Sequence, residues 1–399
     1  SSSAAPKLRL WCGPPTGAMT SVPPPWPGGA AAQPPLDPAH TAAQQLQQMQ
    51  QPLDGGDFQE VQGSVAPVLG ASASQAVPHT YTASDKPLVL IPLCRKGDRA
   101  MIERQLAAGA NVMEADIEGN TPLHVSVQAP KNEIATVQTL LEAGAHINAV
   151  NYIGAAPLHY VCLRERNHRG IANILLENGA EIDRQTLAGK SPLHFACEKL
   201  VPELVEVLCL FAANTTLQDT EGNTPMHLAL SREQGRDTVK RQVLENLLQC
   251  QAEVLLPNLQ GNLPIHIACR VGAVRCVQLL MERACDVQAM TARRETCLHL
   301  ACHGNFADVA QLIIGTAPHC IDAVDCEGNT ALHICAAVGG FDCVALLLRA
   351  SADTSLKNSQ KRTALDIANV AGTDLSSCHN PELVQLLKDA KKNGSCRQS

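Results

Sequence analysis

Glu118-Gly119-Asn120-Thr121-Pro122-Leu123-His124 decides the fold, because its last four residues return, with small changes, six more times. The later copies end on His159, His194, His227, His266, His299 and His333, at spacings of 35, 35, 33, 39, 33 and 34 residues. A near-constant period of this size marks one supersecondary unit stacked on copies of itself, since a single copy cannot bury its apolar face. The chain is therefore expected to form a solenoid.

Around the histidine, Thr121, Ser191 and Thr224 precede a proline and a short apolar run. A hydroxyl residue can cap free backbone N–H groups, and proline at the first helical position loses no hydrogen bond. A helix is predicted to start at each motif. A second apolar run follows, as in Val137 to Leu141 and Val344 to Leu348, and reads as a second, buried helix. That helix runs into Gly109, Gly144 and Gly179 in the early units, where glycine can take the left-handed conformation that ends a helix. The polar stretches Asn148 to Gly154, Asp219 to Asn223 and Asp325 to Asn329 then lead back to the next motif as hairpin-like loops.

The opening heptapeptide, followed by Leu140-Leu141-Glu142-Ala143-Gly144-Ala145, resembles the ankyrin repeat. The resemblance implies an all-α solenoid of helix-turn-helix units, in which each motif histidine bonds backbone groups and ties one hairpin to the next. Two degenerate copies flank the seven. Ile91 stands in the histidine place upstream and Asp366 downstream, so nine units are expected, the outer two being caps with one face toward water. The expected division is a disordered tail over 1–84, a repeat domain over 85–390 and a short polar tail over 391–399. The first segment holds 13 of the 25 prolines, a Gln-rich stretch from Gln44 to Gln51 and only six charged side chains, too little apolar content to offset chain entropy.

No secretory signal and no apolar run of about 18 residues is visible, so neither export nor a membrane span is expected. A net charge of −7 argues against general nucleic-acid binding. Cys162, Cys197, Cys269 and Cys302 lie three residues after a motif histidine and Cys335 two after, which are small, buried helix positions in the family. Equivalent positions in adjacent repeats are expected about 8 to 10 Å apart, beyond disulfide reach. Reduced thiols point to the cytosol or nucleus.

Enzymatic signals are weak. His299-Leu300-Ala301-Cys302-His303 places two imidazoles four residues apart, yet His299 belongs to the repeat and no Cys-x-x-Cys pair accompanies it. Ala188-Gly189-Lys190-Ser191 mimics the end of a phosphate loop, but Arg184 stands where the first glycine is needed. No catalytic residue, cofactor site or metal site is assigned. In the tail, Pro23-Pro24-Pro25-Trp26-Pro27 suits a polyproline II ligand of an SH3- or WW-type domain, and Leu46, Met49 and Leu53 would share a face if that stretch became helical.

Subtracting the scaffold leaves two rows. Hairpin tips carry Ile117, Tyr152 and Leu187 in consecutive repeats, then Thr220, Leu259, Ala292 and Cys326. Contiguous apolar tips suggest an interface, the alternative being side chains folded back on neighbouring hairpins. The second row, Arg164, Lys199 and Arg232 with Arg270 one unit on and Lys96 in the first cap, suits an acidic or phosphorylated peptide. The alternative there is a solvated helix end. Longer turns in units two, three and five, the longest from Ser231 to Gln242, add candidate binding loops. The expected function is a non-enzymatic protein–protein adaptor. Two alternatives stay open: a transcription regulator resembling ankyrin-type inhibitors of Rel factors, and a targeting fragment of a larger enzyme or ubiquitin ligase.

Overall fold

The computed structural model describes residues 89–129, 134–164, 167–232, 237–283, 285–371 and 381–395. The expectations for 1–84, including Pro23 to Pro27 and Leu46 to Leu53, lie outside the described residues. Within the described residues the protein is all-α, with nine helix pairs and no strand. Units one and two pair Leu90–Lys96 with Arg99–Ala107 and Pro122–Gln128 with Ile134–Glu142. In unit three a 3-10 helix, Pro157–Leu163, precedes His168–Glu177, and in unit four Pro192–Glu198 precedes Pro202–Leu210. Units five and six pair Pro225–Ser231 with Asp237–Gln249 and Pro264–Val271 with Val274–Glu282. Units seven and eight pair Cys297–His303 with Ala307–Thr316 and Ala331–Val338 with Phe341–Arg349, and unit nine pairs Ala364–Ala371 with Pro381–Ser395.

First helices stack on first helices and second helices on second helices along the series. One apolar core runs through Leu123, Leu158, Leu193, Met226, Ile265, Leu298 and Leu332, each at most 2% exposed. Each fully buried Leu or Ile of this kind contributes roughly 1.5 to 3 kcal/mol. No unit could bury these residues alone, which is why the period in the sequence was decisive.

The motif histidine performs two jobs, and the geometry fixes its tautomer. In unit two, the Thr121 backbone N–H donates to His124 Nδ1 at 3.1 Å, and His124 Nε2 lies 3.0 Å from the Ala155 carbonyl oxygen. A carbonyl only accepts, so Nε2 carries the proton and Nδ1 is the acceptor. The same pair of bonds joins His194 to Ser191 and the Asn223 carbonyl, and His333 to Thr330 and the Arg362 carbonyl. His266 departs from the pattern, reaching the Ala289 carbonyl at 2.9 Å. Burial pushes His124 and His159 down to about 4, and it also lowers His194, His227, His299 and His333, so these rings are neutral ties.

The caps keep only the half of this device that they need. Asp366 accepts from the Thr363 backbone N–H at 2.9 Å and from its hydroxyl at 2.8 Å, which closes the helix start. At the other end Ile91 cannot accept, and Glu114 from the next hairpin takes the N–H groups of Val89 and Ile91 at 3.0 and 2.7 Å. The last helix runs to Ser395, past the expected limit at 390, with Lys392 in its final turn where the helix dipole favours a cation. The long insertion of unit five is partly helical: Asp237 to Gln242 form the start of a 13-residue second helix.

Candidate partner-binding surface

Hairpin tips are positioned by short polar loops. Asp116 Oδ1 accepts from the N–H groups of Glu118 and Asn120, both at 2.9 Å, and Asp219 repeats this with Glu221 and Asn223. Asn151 Nδ2 donates to Asn120 Oδ1, Asn258 to Asn223 and Asn358 to Asn329, each at 2.9 Å, so neighbouring loops are tied side chain to side chain. The tips are also tied through the backbone. Tyr152 N–H donates to the Glu118 carbonyl at 3.1 Å, Leu187 to Ile153 at 3.0 Å and Leu259 to Glu221 at 3.1 Å.

The side chains of Tyr152 and Leu259 lean on the preceding turn glycine: a Cβ on Gly119 would lie 3.1 Å from Tyr152 Cδ1, and one on Gly222 would lie 3.0 Å from Leu259 Cγ. The outer faces nevertheless remain open. Ile117 is 95% exposed, Tyr152 60%, Leu187 78% and Leu259 78%. Thr220, also exposed, completes five consecutive tips. Ile153, one residue beyond the tip and so outside the repeating row, is exposed beside Tyr152.

The basic row changes membership. Arg164 is 5% exposed, and its guanidinium Nη1 donates to the carbonyls of Ser126 and Val127 at 3.2 and 2.9 Å. It satisfies the last carbonyls of the first helix of unit two, and this role withdraws it from the surface on which the sequence had placed it. Arg232 is exposed but bonds Glu198 at 3.0 Å, and Glu198 also holds Lys190 at 2.8 Å. These cations hold the Glu198 carboxyl below its usual range despite the opposing effect of partial burial. Lys199, Arg270 and Lys96 are exposed.

At the front end the two rows meet. A groove of about 770 Å3 is lined by Ile91, Pro92, Arg95, Lys96, Ile117 and Gln128 among others. No short motif announces it, because its residues come from the first cap, the next hairpin and the next helix. The metal reading of His299 and His303 is not assembled: His299 is engaged with Thr296 and the Asn329 carbonyl, and His303 Nε2 lies 3.5 Å from Glu295. Within the three insertion turns, residues 130–133, 165–166 and 233–236 lie outside the described residues. Among those described, no helix is long and apolar enough to cross a membrane.

Such an arrangement, a stack of helix pairs presenting a line of hairpin tips, defines a repeat scaffold with an exposed apolar edge. The chain belongs to the ankyrin-repeat family: the family model described as ankyrin repeats (3 copies) matches residues 90–186, 158–241, 237–322 and 298–396. It is 28% identical over 170 residues to the B-cell lymphoma 3 protein homolog of Mus musculus, covering 42% of this chain and 37% of that protein. Similarity to the Nuclear factor NF-kappa-B p105 subunit of Gallus gallus is 30% over 157 residues, 39% of this chain and 16% of the relative. The Neurogenic locus notch homolog protein 1 of Xenopus tropicalis is 33% identical over 151 residues, 38% of this chain and 6% of that protein. The matched part thus spans well under two thirds of each of these relatives.

Proposed function

We propose that the protein is a non-enzymatic adaptor that grips a partner protein along the tips Ile117, Tyr152, Leu187 and Leu259 and along the exposed cations Lys96, Lys199, Arg232 and Arg270. The observation that carries this reading is the tip row itself: four large apolar side chains stay at least 60% exposed, and Tyr152, Leu187 and Leu259 are each tied to the preceding hairpin through their backbone N–H. A pinned apolar edge binds with little ordering cost. The cations beside it favour a partner with an acidic or phosphorylated segment.

A second reading, a transcription regulator resembling ankyrin-type inhibitors of Rel factors, is supported by the similarity to the B-cell lymphoma 3 and NF-kappa-B p105 proteins. Affinity capture with residues 85–399, followed by binding titrations of the captured protein, tests both. Tyr152→Ala with Leu187→Ala should weaken the complex at least tenfold, about 1.4 kcal/mol or more. Lys199→Glu with Arg270→Glu should weaken it and flatten its salt dependence. Unchanged affinity in both double variants would exclude this surface, and capture of a Rel-type factor would select the second reading.

A further inference from the structure

The stacking of units seven and eight brings three thiols together. Cys302 lies on the first helix of unit seven, Cys335 on the first helix of unit eight and Cys343 on its second helix. Their sulfur atoms all lie within 4.8 Å of one another, and all three residues are 0% exposed. The expected spacing of about 8 to 10 Å between equivalent helix positions does not apply here, because Cys302 follows its motif histidine by three residues and Cys335 follows its own by two. One residue turns a side chain by about 100° around a helix, which allows Cys335 to meet Cys302 across the unit boundary.

We propose that Cys302, Cys335 and Cys343 form a three-thiol site for a soft, three-coordinate trivalent ion, with trivalent arsenic as the ligand that fits it. Thiolate ligands select soft ions. At a bond length of about 2.3 Å and angles near about 100°, three sulfurs around one pyramidal arsenic stand about 3.5 Å apart, so the trio, now within 4.8 Å, has to close by no more than about 1.3 Å. No fourth ligand joins the cluster among the described residues. The motif histidines of the two units are occupied, His299 with Thr296 and the Asn329 carbonyl, His333 with Thr330 and the Arg362 carbonyl.

Charge then selects among soft ions. Three thiolates around a divalent zinc ion leave one buried negative charge and around cuprous ion two, whereas a trivalent centre leaves none. An uncompensated charge in a site with no solvent contact is costly. Arsenous acid, As(OH)3, is neutral at pH 7 and reacts without any change of oxidation state. Three S–H and three As–O bonds break, three As–S bonds form and three waters leave, with no net proton release. The product ties unit seven to unit eight, so binding stabilises this part of the stack.

Arsenite added to the reduced chain of 399 residues is the probe. Native mass spectrometry should show one arsenic added and three hydrogens lost per chain, X-ray absorption should show a first shell of three sulfurs and no oxygen, and the thermal midpoint should rise. Cys343→Ala and Cys335→Ala should each reduce affinity at least a hundredfold. Cys209→Ala and Cys276→Ala, which remove buried thiols elsewhere, should leave affinity unchanged. The proposal is overturned if a first shell containing oxygen appears, if the trio variants retain full affinity, or if zinc displaces arsenite at equal concentration. Circular dichroism of each variant guards against misfolding, and the absorption spectrum of the unsubstituted chain decides the matter without any variant.

Discussion

Front and back units solve the same backbone problem with different residues. The second helices of units one to three end on Gly109, Gly144 and Gly179, with φ of 84°, 87° and 89°. The corresponding places in units four, five and eight are Ala212, Gln251 and Ser351, and they keep the left-handed conformation, with φ of 62°, 57° and 68°. Ala284 of unit six lies outside the described residues. Other turns extend the contrast: Leu200, Arg294, Asn305 and Lys361 are also left-handed, whereas Asn167 is the one such non-glycine residue described before unit four. A side chain in this region costs roughly 1 to 2 kcal/mol, less for Asn. Because solenoid stability is close to a sum of unit and neighbour terms, these costs collect from unit four onward.

The largest effect expected from a single substitution lies in the front. Arg164→Glu replaces a buried guanidinium on two carbonyls with a carboxylate facing them, and should destabilise by about 3 kcal/mol or more in denaturant titrations. Lys199→Glu should leave stability within about 0.5 kcal/mol. If Arg164→Glu proves as mild as Lys199→Glu, the assignment of Arg164 to the scaffold is wrong.

Acid should act on the histidine ties. The folded-state pKa of His124 and of His159, about 4, lies below the unfolded value near 6.5, so their contribution is complete above pH 6.5 and is lost as pH falls toward 4. Each ring should contribute about 3 kcal/mol over that window. Denaturant midpoints measured from pH 7 to pH 4.5 should therefore fall, and a flat profile would contradict neutral, buried ties.

Glycine substitutions separate conformational strain from crowding. A Cβ on Gly144 meets nothing within 4 Å, so Gly144→Ala should cost about 1 kcal/mol through φ alone. A Cβ on Gly222 would come within 2.7 Å of the Leu259 backbone nitrogen, so Gly222→Ala should cost clearly more, about 2 to 3 kcal/mol. Equal costs would mean that the hairpin gives way.

The smallest effect tests the comparison most directly. Ala212→Gly and Ser351→Gly should each raise stability by up to about 1 kcal/mol. Peptide-resolved hydrogen exchange should show residues 192–371 opening more readily than residues 89–179, with the gap narrowing in the double variant. Stronger protection in the back would show that packing there outweighs the strain.

The sequence by itself determined the unit, its number and the identity of the caps, because a repeat writes the same physical requirement at every period: a capping residue, a helix start, an apolar face and a left-handed ending. It also determined the tip row, since the residue two before the turn glycine is set by local loop geometry and needs no distant partner. Tertiary structure decided what depends on neighbours from other units. Arg164 and Lys199 occupy the same place in the motif, yet one is buried on the carbonyls of the preceding unit and the other faces solvent. Ile117 and Lys96 are 21 residues apart in the chain and line one groove. Cys302, Cys335 and Cys343 read as three small core residues until two units stack and their sulfurs meet. Local periodicity fixes a residue's place within its unit, while its chemical surroundings come from side chains that only stacking brings within reach.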